Sequence, residues 1–99
     1  MPNVIFFNSY KLKKGASVPD FLTAAEQLNN EYISKQKGFV SFKLLVDGNT
    51  WADSTTFETM SDAKRFAEAG EPNEYALKFY SFLNMVSCKS NFFTVELDH

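Results

Sequence analysis

The sequence predicts an α+β domain: a four-stranded antiparallel sheet with its helices gathered on one face. Three observations carry that expectation. Residues 38–63 (GFVSFKLLVDGNTWADSTTFETMSDA) form a hinge of symmetry, with strand-then-helix character before them and helix-then-strand after them. Within that stretch Asp47-Gly48-Asn49 separates two runs of strand-forming residues, a strong hairpin signal because Gly and Asn accept positive φ. Finally, Ser17 and Thr59 each stand before an apolar helical stripe and are followed three residues later by Asp20 and Asp62, the spacing of a capping box.

Taken in order, VIFFNSYKL at 4–12 is rich in β-branched and aromatic residues and reads as a strand. Val4, Phe6, Asn8, Tyr10 and Leu12 share one face, and Ile5, Phe7, Ser9 and Lys11 the other. The first half is apolar on both faces, which predicts cover on two sides. Asn8 interrupts the apolar run. It either bonds a neighbouring backbone group or points a donor into a cleft, since a buried amide needs a partner. After Lys13-Lys14-Gly15-Ala16 the capping box, with Pro19 in the first turn, opens a helix predicted over 18–36. Phe21, Ala25, Leu28 and Tyr32 form its apolar face, and Gly38 follows as its stop.

A second strand is expected over 39–46 and a third over 50–58. On the third, Trp51, Asp53, Thr55 and Phe57 alternate with Ala52, Ser54, Thr56 and Glu58. Thr59 caps a second helix with Met60, Ala63, Phe66 and Ala67 inward and Gly70 as its stop. Glu71-Pro72-Asn73 breaks the path, and Tyr75, Ala76, Phe79, Tyr80 and Leu83 trace a further short helical face. A last strand is expected over 88–97. The order β-α-β-β-α-(α)-β is the ferredoxin-like arrangement, filling residues 1–99 as a single domain.

Composition narrows the function classes. Apolar residues are 44% of the chain and charged residues 22%, as in globular domains. Aromatics reach 16%, with eleven Phe, four Tyr and one Trp; so many rings suit a packed interior or a pocket for a flat apolar ligand. Ten basic against twelve acidic side chains give a net charge of −2, without the basic footprint that nucleic acid requires. Lys37-Gly38-Phe39-Val40-Ser41-Phe42 echoes an RNA-recognition signature, but on the wrong strand and with Val40 and Ser41 at odds with it. One cysteine, Cys88, supports no disulfide framework. No window approaches a membrane span and residues 1–14 lack signal-peptide features, so a cytoplasmic setting is expected.

A sheet with helices on one face leaves the other bare. Here that face would carry Ile5 and Phe7, beside strands at 39–46 and 92–97 that read as apolar on both sides. So large an uncovered surface predicts a homodimer with the two sheets face to face.

The chain resembles the dimeric α/β-barrel superfamily, in particular the domain named after antibiotic-biosynthesis monooxygenases (ABM). The likeness rests on the opening strand with Asn8, on Tyr10-Lys11-Leu12-Lys13-Lys14-Gly15, and on the Gln36-Lys37-Gly38-Phe39 step into strand 2. It extends to Trp51-Ala52-Asp53 and to Phe57-Glu58-Thr59-Met60-Ser61-Asp62-Ala63 leading into helix 2. The resemblance implies the fold and the homodimeric barrel. It also implies a range of activities that includes cofactor-free monooxygenases on aromatic compounds and haem-degrading oxygenases. The haem-degrading branch carries a ligating histidine whose place falls at about Ala67 here, and the only histidine is His99, so no cofactor is expected.

The expected chemistry follows from two strand faces. If Phe6, Asn8 and Tyr10 and the Trp51, Asp53, Phe57 face lie beneath the helices, Asn8 and Asp53 converge among rings. A carboxylate there has its pKa raised by desolvation and suits removal of a proton from a phenol or enol, with Asn8 steadying the oxyanion. Asp53 and Asn8 are the candidate catalytic residues; Phe6, Tyr10, Trp51, Phe57 and Phe66 are the candidate substrate contacts, and no metal ligands stand out. Alternatively, Asp53 pairs with Lys43 across the hairpin or sits at the solvent edge. Three readings stay open: an ABM-like enzyme on a small aromatic or enolisable compound, a non-catalytic module binding a small hydrophobic molecule, and a dimerisation domain with a filled interior.

Overall fold

In the computed structural model, which describes residues 2–69 and 73–99, the chain runs through eight segments. Strand β1 (Val4–Leu12) leads to helix α1 (Val18–Glu31) and a 3-10 turn (Ile33–Lys35). Then come β2 (Phe39–Asp47), β3 (Thr50–Phe57), helix α2 (Met60–Ala67), helix α3 (Glu74–Tyr80) and β4 (Leu83–Thr94). The sheet order is β2-β3-β1-β4 with every neighbouring pair antiparallel. This is the ferredoxin-like α+β fold that the element order predicts.

Local chemistry places the boundaries. Ser17 Oγ accepts from Asp20 N–H at 3.3 Å to start α1, and Thr59 Oγ1 accepts from Asp62 N–H at 3.1 Å to start α2. Helix α1 stops at Glu31 rather than running to 36. Tyr32 leaves helical geometry (φ −137°, ψ −62°), and the last carbonyls are taken up by a tighter turn, Lys35 N to Tyr32 O and Gln36 N to Ile33 O. That turn drops Ile33 into the core. The hairpin after β2 needs positive φ only at Gly48 (+61°), the sign pattern of a type II′ turn, so Asn49 is not called on to adopt it.

Two further boundaries differ from expectation. Asn73, read as part of a break, caps α3: its Oδ1 accepts from Tyr75 and Ala76 N–H at 2.8 and 3.3 Å. The expected stop at Gly70 and the Glu71-Pro72 part of the break lie outside the described residues. Leu83 is not on the last helix but opens β4, which starts five residues before the expected 88 and ends at Thr94. Leu83 is buried with Phe79 in one cluster, so the helical spacing continues across a chain that has already changed conformation. The register of β4 against β1 shifts between Ser9 and Lys11, and there Ser87 Oγ accepts from Lys11 N–H at 2.9 Å in place of a ladder carbonyl.

Two buried clusters lie between sheet and helices. The larger gathers Tyr10, Phe21, Ala25, Leu28, Ile33, Phe79 and Leu83; the smaller gathers Val4, Phe57 and Ala63. Phe66 packs on both. The opposite sheet face is less apolar than the sequence suggests. A register shift between Phe39 and Ser41 puts Phe39, Phe42 and Leu44 in line with Phe57, Thr55 and Asp53, under the helices. Ser41, Lys43 and Leu45 are left to the bare face, alongside Ser54, Thr56 and Ser9. Besides Leu45, it carries an apolar patch of Ile5, Phe7 and Phe93, with Phe7 and Phe93 edge to face at 6.0 Å.

Candidate functional site

Between the two clusters a cleft of about 590 Å³ opens over β1, β3 and β4, beneath α1, α2 and α3. That is the size of a site for a drug-sized ligand. Its floor is one transverse row of the sheet. Antiparallel pairing sets Asn8 directly opposite Asp53 on one side and Ser90 on the other. Tyr10 is one step further along the same face of β1, within diagonal reach of Asp53. Strand parity and register together put Ser90, Asn8, Asp53 and Tyr10 side by side on the helix-covered face.

The row is bonded end to end. Ser90 Oγ donates to Asn8 Oδ1. Asn8 Nδ2 donates to Asp53 Oδ1 at 3.0 Å, and Tyr10 Oη donates to Asp53 Oδ2 at 2.6 Å. Every donor leads towards the carboxylate, which also settles the orientation of the Asn8 amide: Asp53 can only accept when ionised, so Nδ2 faces it. Each Asp53 oxygen retains a further lone pair for a guest.

Asp53 is only 8% exposed and, among the described residues, pairs with no cation. The alternative of a pair with Lys43 is overturned by the register, in which Lys43 lies opposite Ser54 while Asp53 lies opposite Leu44, on the other face. Burial pushes the Asp53 carboxyl above its ordinary value of 3.8, against a lowering pull from the Tyr10 and Asn8 hydrogen bonds. Burial and the Asp53 charge likewise raise the Tyr10 and Tyr80 hydroxyls and the Cys88 thiol. The cleft is therefore a place where negative charge is held reluctantly, and where a carboxylate is a stronger base than in water.

Of the residues singled out from sequence, the structure brings Phe6, Asn8, Tyr10, Asp53 and Phe66 to the cleft wall. Trp51 and Phe57 are not among its lining. Trp51 stands edge-on to Phe21 at 5.2 Å, packed against the larger cluster, and Phe57 is wholly buried behind Phe66 at 5.4 Å. Both share strand parity with Asp53, but α1 covers the first and α2 the second.

Tyr32, Thr55, Tyr80, Cys88 and Ser90 also line the cleft and were not singled out. Ser90 is two residues from Phe92, so strand parity carried back from 92 would have found it. Ala67, the position matched to the haem-ligating histidine, is on the cleft wall and offers only a methyl group, while His99 is exposed at the far end of the chain. The lining residues do not fit haem ligation by histidine. Among the described residues no group of three or more His, Cys, Asp or Glu is placed to hold a metal ion, and no helix is long and apolar enough to cross a membrane.

No protein-family model matches the chain, and no curated protein matches it. Solved structures do. SnoaB, a cofactor-independent oxygenase from Streptomyces nogalater, aligns with TM-score 0.75 and 18% identity over 99% of this chain and 97% of that one. A protein of unknown function from Nitrosomonas europaea aligns with TM-score 0.70 and 15% identity, over 100% and 94%. A dimeric protein of unknown function and ferredoxin-like fold from Bacteroides fragilis aligns with TM-score 0.65 and 17% identity, over 94% and 96%. At these identities the shared property is the fold.

Proposed function

We propose that this chain is a cofactor-free oxygenase of the ABM type, with Asp53 as general base on a small phenolic or enolisable aromatic compound. The observation that carries the reading is a carboxylate buried at 8% exposure in an aromatic cleft, held by neutral donors alone. Burying a charge without a counter-charge destabilises a fold, and such groups concentrate where chemistry needs them. The fold shared with SnoaB, itself a cofactor-independent oxygenase, supports the same class.

In the proposed reaction Asp53 takes a proton from the activated C–H or O–H of the substrate. The resulting anion is delocalised over the ring, and Asn8 supplies the nearest amide N–H to the developing oxyanion. The carbanion electron pair passes to dioxygen, forming a C–O bond and a peroxide anion. That anion is protonated by Asp53, and loss of water from the hydroperoxide leaves a carbonyl: R₂CH₂ and O₂ give R₂C=O and H₂O. Dioxygen is the oxidant, and Asp53 returns to its carboxylate form.

The test is oxygen uptake with a panel of hydroxylated two- and three-ring aromatics. The wild type should turn over at least one of them, and Asp53→Asn should lose about 10²- to 10⁴-fold in kcat while still binding it. The rate should rise with pH through the raised Asp53 pKa, because only the ionised form accepts a proton. A second reading is favoured by the fact that both Asp53 oxygens already accept hydrogen bonds: a binding module in which the row merely shapes the cleft. Binding without oxygen uptake across the panel would establish that reading instead.

The assembly belongs to the same proposal. The apolar patch of Ile5, Phe7 and Phe93 on the bare sheet face fits a second copy laid face to face, as the description of the Bacteroides fragilis protein as dimeric supports. Sedimentation at low micromolar concentration should give a dimer, and Phe7→Lys with Phe93→Lys should give a folded monomer. A monomeric wild type would remove the proposed assembly.

A further inference from the structure

The cleft carries a rule about the charge of its guest. Among the described residues its lining contains no Lys, Arg or His. Two cations of α2 are engaged elsewhere: Lys64 lies over the Phe92 ring at 5.6 Å, and Arg65 pairs with Asp62 at 3.0 Å. Asp53, the one carboxylate among the described lining residues, already has Asn8 and Tyr10 turned towards it as donors.

We propose that the cleft takes an uncharged, hydroxyl-bearing aromatic molecule and turns away the carboxylated analogue of similar size, with Asp53 setting the choice. The inference rests on reading the cleft as a ligand site. A neutral hydroxyl has a hydrogen to donate to a free Asp53 lone pair, and its ring packs against Phe6, Phe42 and Phe66. An ionised carboxylate has acceptors only. Facing Asp53 it can form no hydrogen bond without an added proton, and it meets a like charge at short range in a medium that screens poorly. It also gives up its hydration with no cation in return.

The experiment compares 2-naphthol with 2-naphthoate by calorimetric titration in mildly alkaline buffer, which favours the ionised form of Asp53 while the naphthoate is ionised and the naphthol neutral. The wild type should bind naphthol about tenfold or more tightly than naphthoate. In Asp53→Asn most of that gap should close, chiefly by tighter naphthoate binding. Leu77, on the cleft lining and 56% exposed, provides a second variant that leaves the core untouched. Leu77→Arg adds a cation and should also narrow the gap, so the test stands even if Asp53→Asn folds poorly. Equal affinity for both probes in the wild type overturns the charge rule while leaving the ligand site in place. An unchanged ratio in the variants overturns the role of Asp53, and failure of naphthol to bind removes the ligand-site reading and the rule together.

Discussion

Asp53 and Asp62 are equally buried, at 8% and 7% exposure, and they have opposite surroundings. Asp62 sits in the first turn of α2. It accepts from Thr59 Oγ1 at 2.9 Å and from Arg65 Nη1 at 3.0 Å, and its own N–H is held by Thr59. Its partners are a helix end, a hydroxyl and a guanidinium. Asp53 lies mid-strand, with an amide, a phenol and, among the described residues, no cation. Burial alone therefore says little about a carboxylate. What balances the charge separates a group that holds the fold together from one that the fold tolerates for another purpose.

The contrast can be broken most forcefully at Gly38. Its φ is +81°, and a Cβ there would collide with the Asp62 side chain from Oδ2 back to its own Cβ. Gly38→Ala should cost about 2–4 kcal/mol through the left-handed backbone and displacement of the Asp62 cap. In a domain of this size that is a Tm fall of roughly 10 °C or more. Gly48→Ala, with φ +61° and open space around it, is the control and should lose only about 1–2 kcal/mol. Equal losses at the two glycines would mean that the Asp62 contact adds nothing.

Asp62→Ala should come next, lowering stability by about 1–2 kcal/mol in denaturant titration while leaving the cleft unaffected. Asp53→Asn should do the reverse, leaving Tm unchanged or higher. Its dependence on pH sharpens the point. Folding raises the Asp53 pKa above 3.8, so the folded chain keeps that proton to higher pH than the unfolded one. The associated stability is complete below 3.8, falls as pH rises through the folded value, and levels off above it. Asp53→Asn lacks this fall, and the Tm difference from wild type should open with rising pH across that window. The smallest effect is expected from Tyr10→Phe. It removes a hydrogen bond that favours the ionised form, and should carry both that window and the acid limb of any pH–rate profile to higher pH.

Much of the fold was legible because its signals are local. Both N-caps, the Gly48 turn and the alternation in 4–12 and 50–57 work through neighbours a few residues apart. The exception is instructive: Phe79 and Leu83 are spaced as on one helix and meet in one cluster, yet the chain turns between them. Periodicity reports which residues face the core and does not distinguish how the backbone brings them there. The site was half legible for the same reason. Parity put Asn8 and Asp53 on faces that could meet; it also nominated Trp51 and Phe57, which α1 and α2 cover.

By itself, then, the order of residues determined the strands, the helix starts and the face on which each polar side chain emerges, since these depend on torsions and near neighbours. Register between strands distant in sequence, and the seating of helices over the sheet, were decided only in three dimensions. Together they made Ser90, Asn8, Asp53 and Tyr10 one hydrogen-bonded row on the floor of an open cleft, and kept Lys43 on the opposite face, away from the carboxylate.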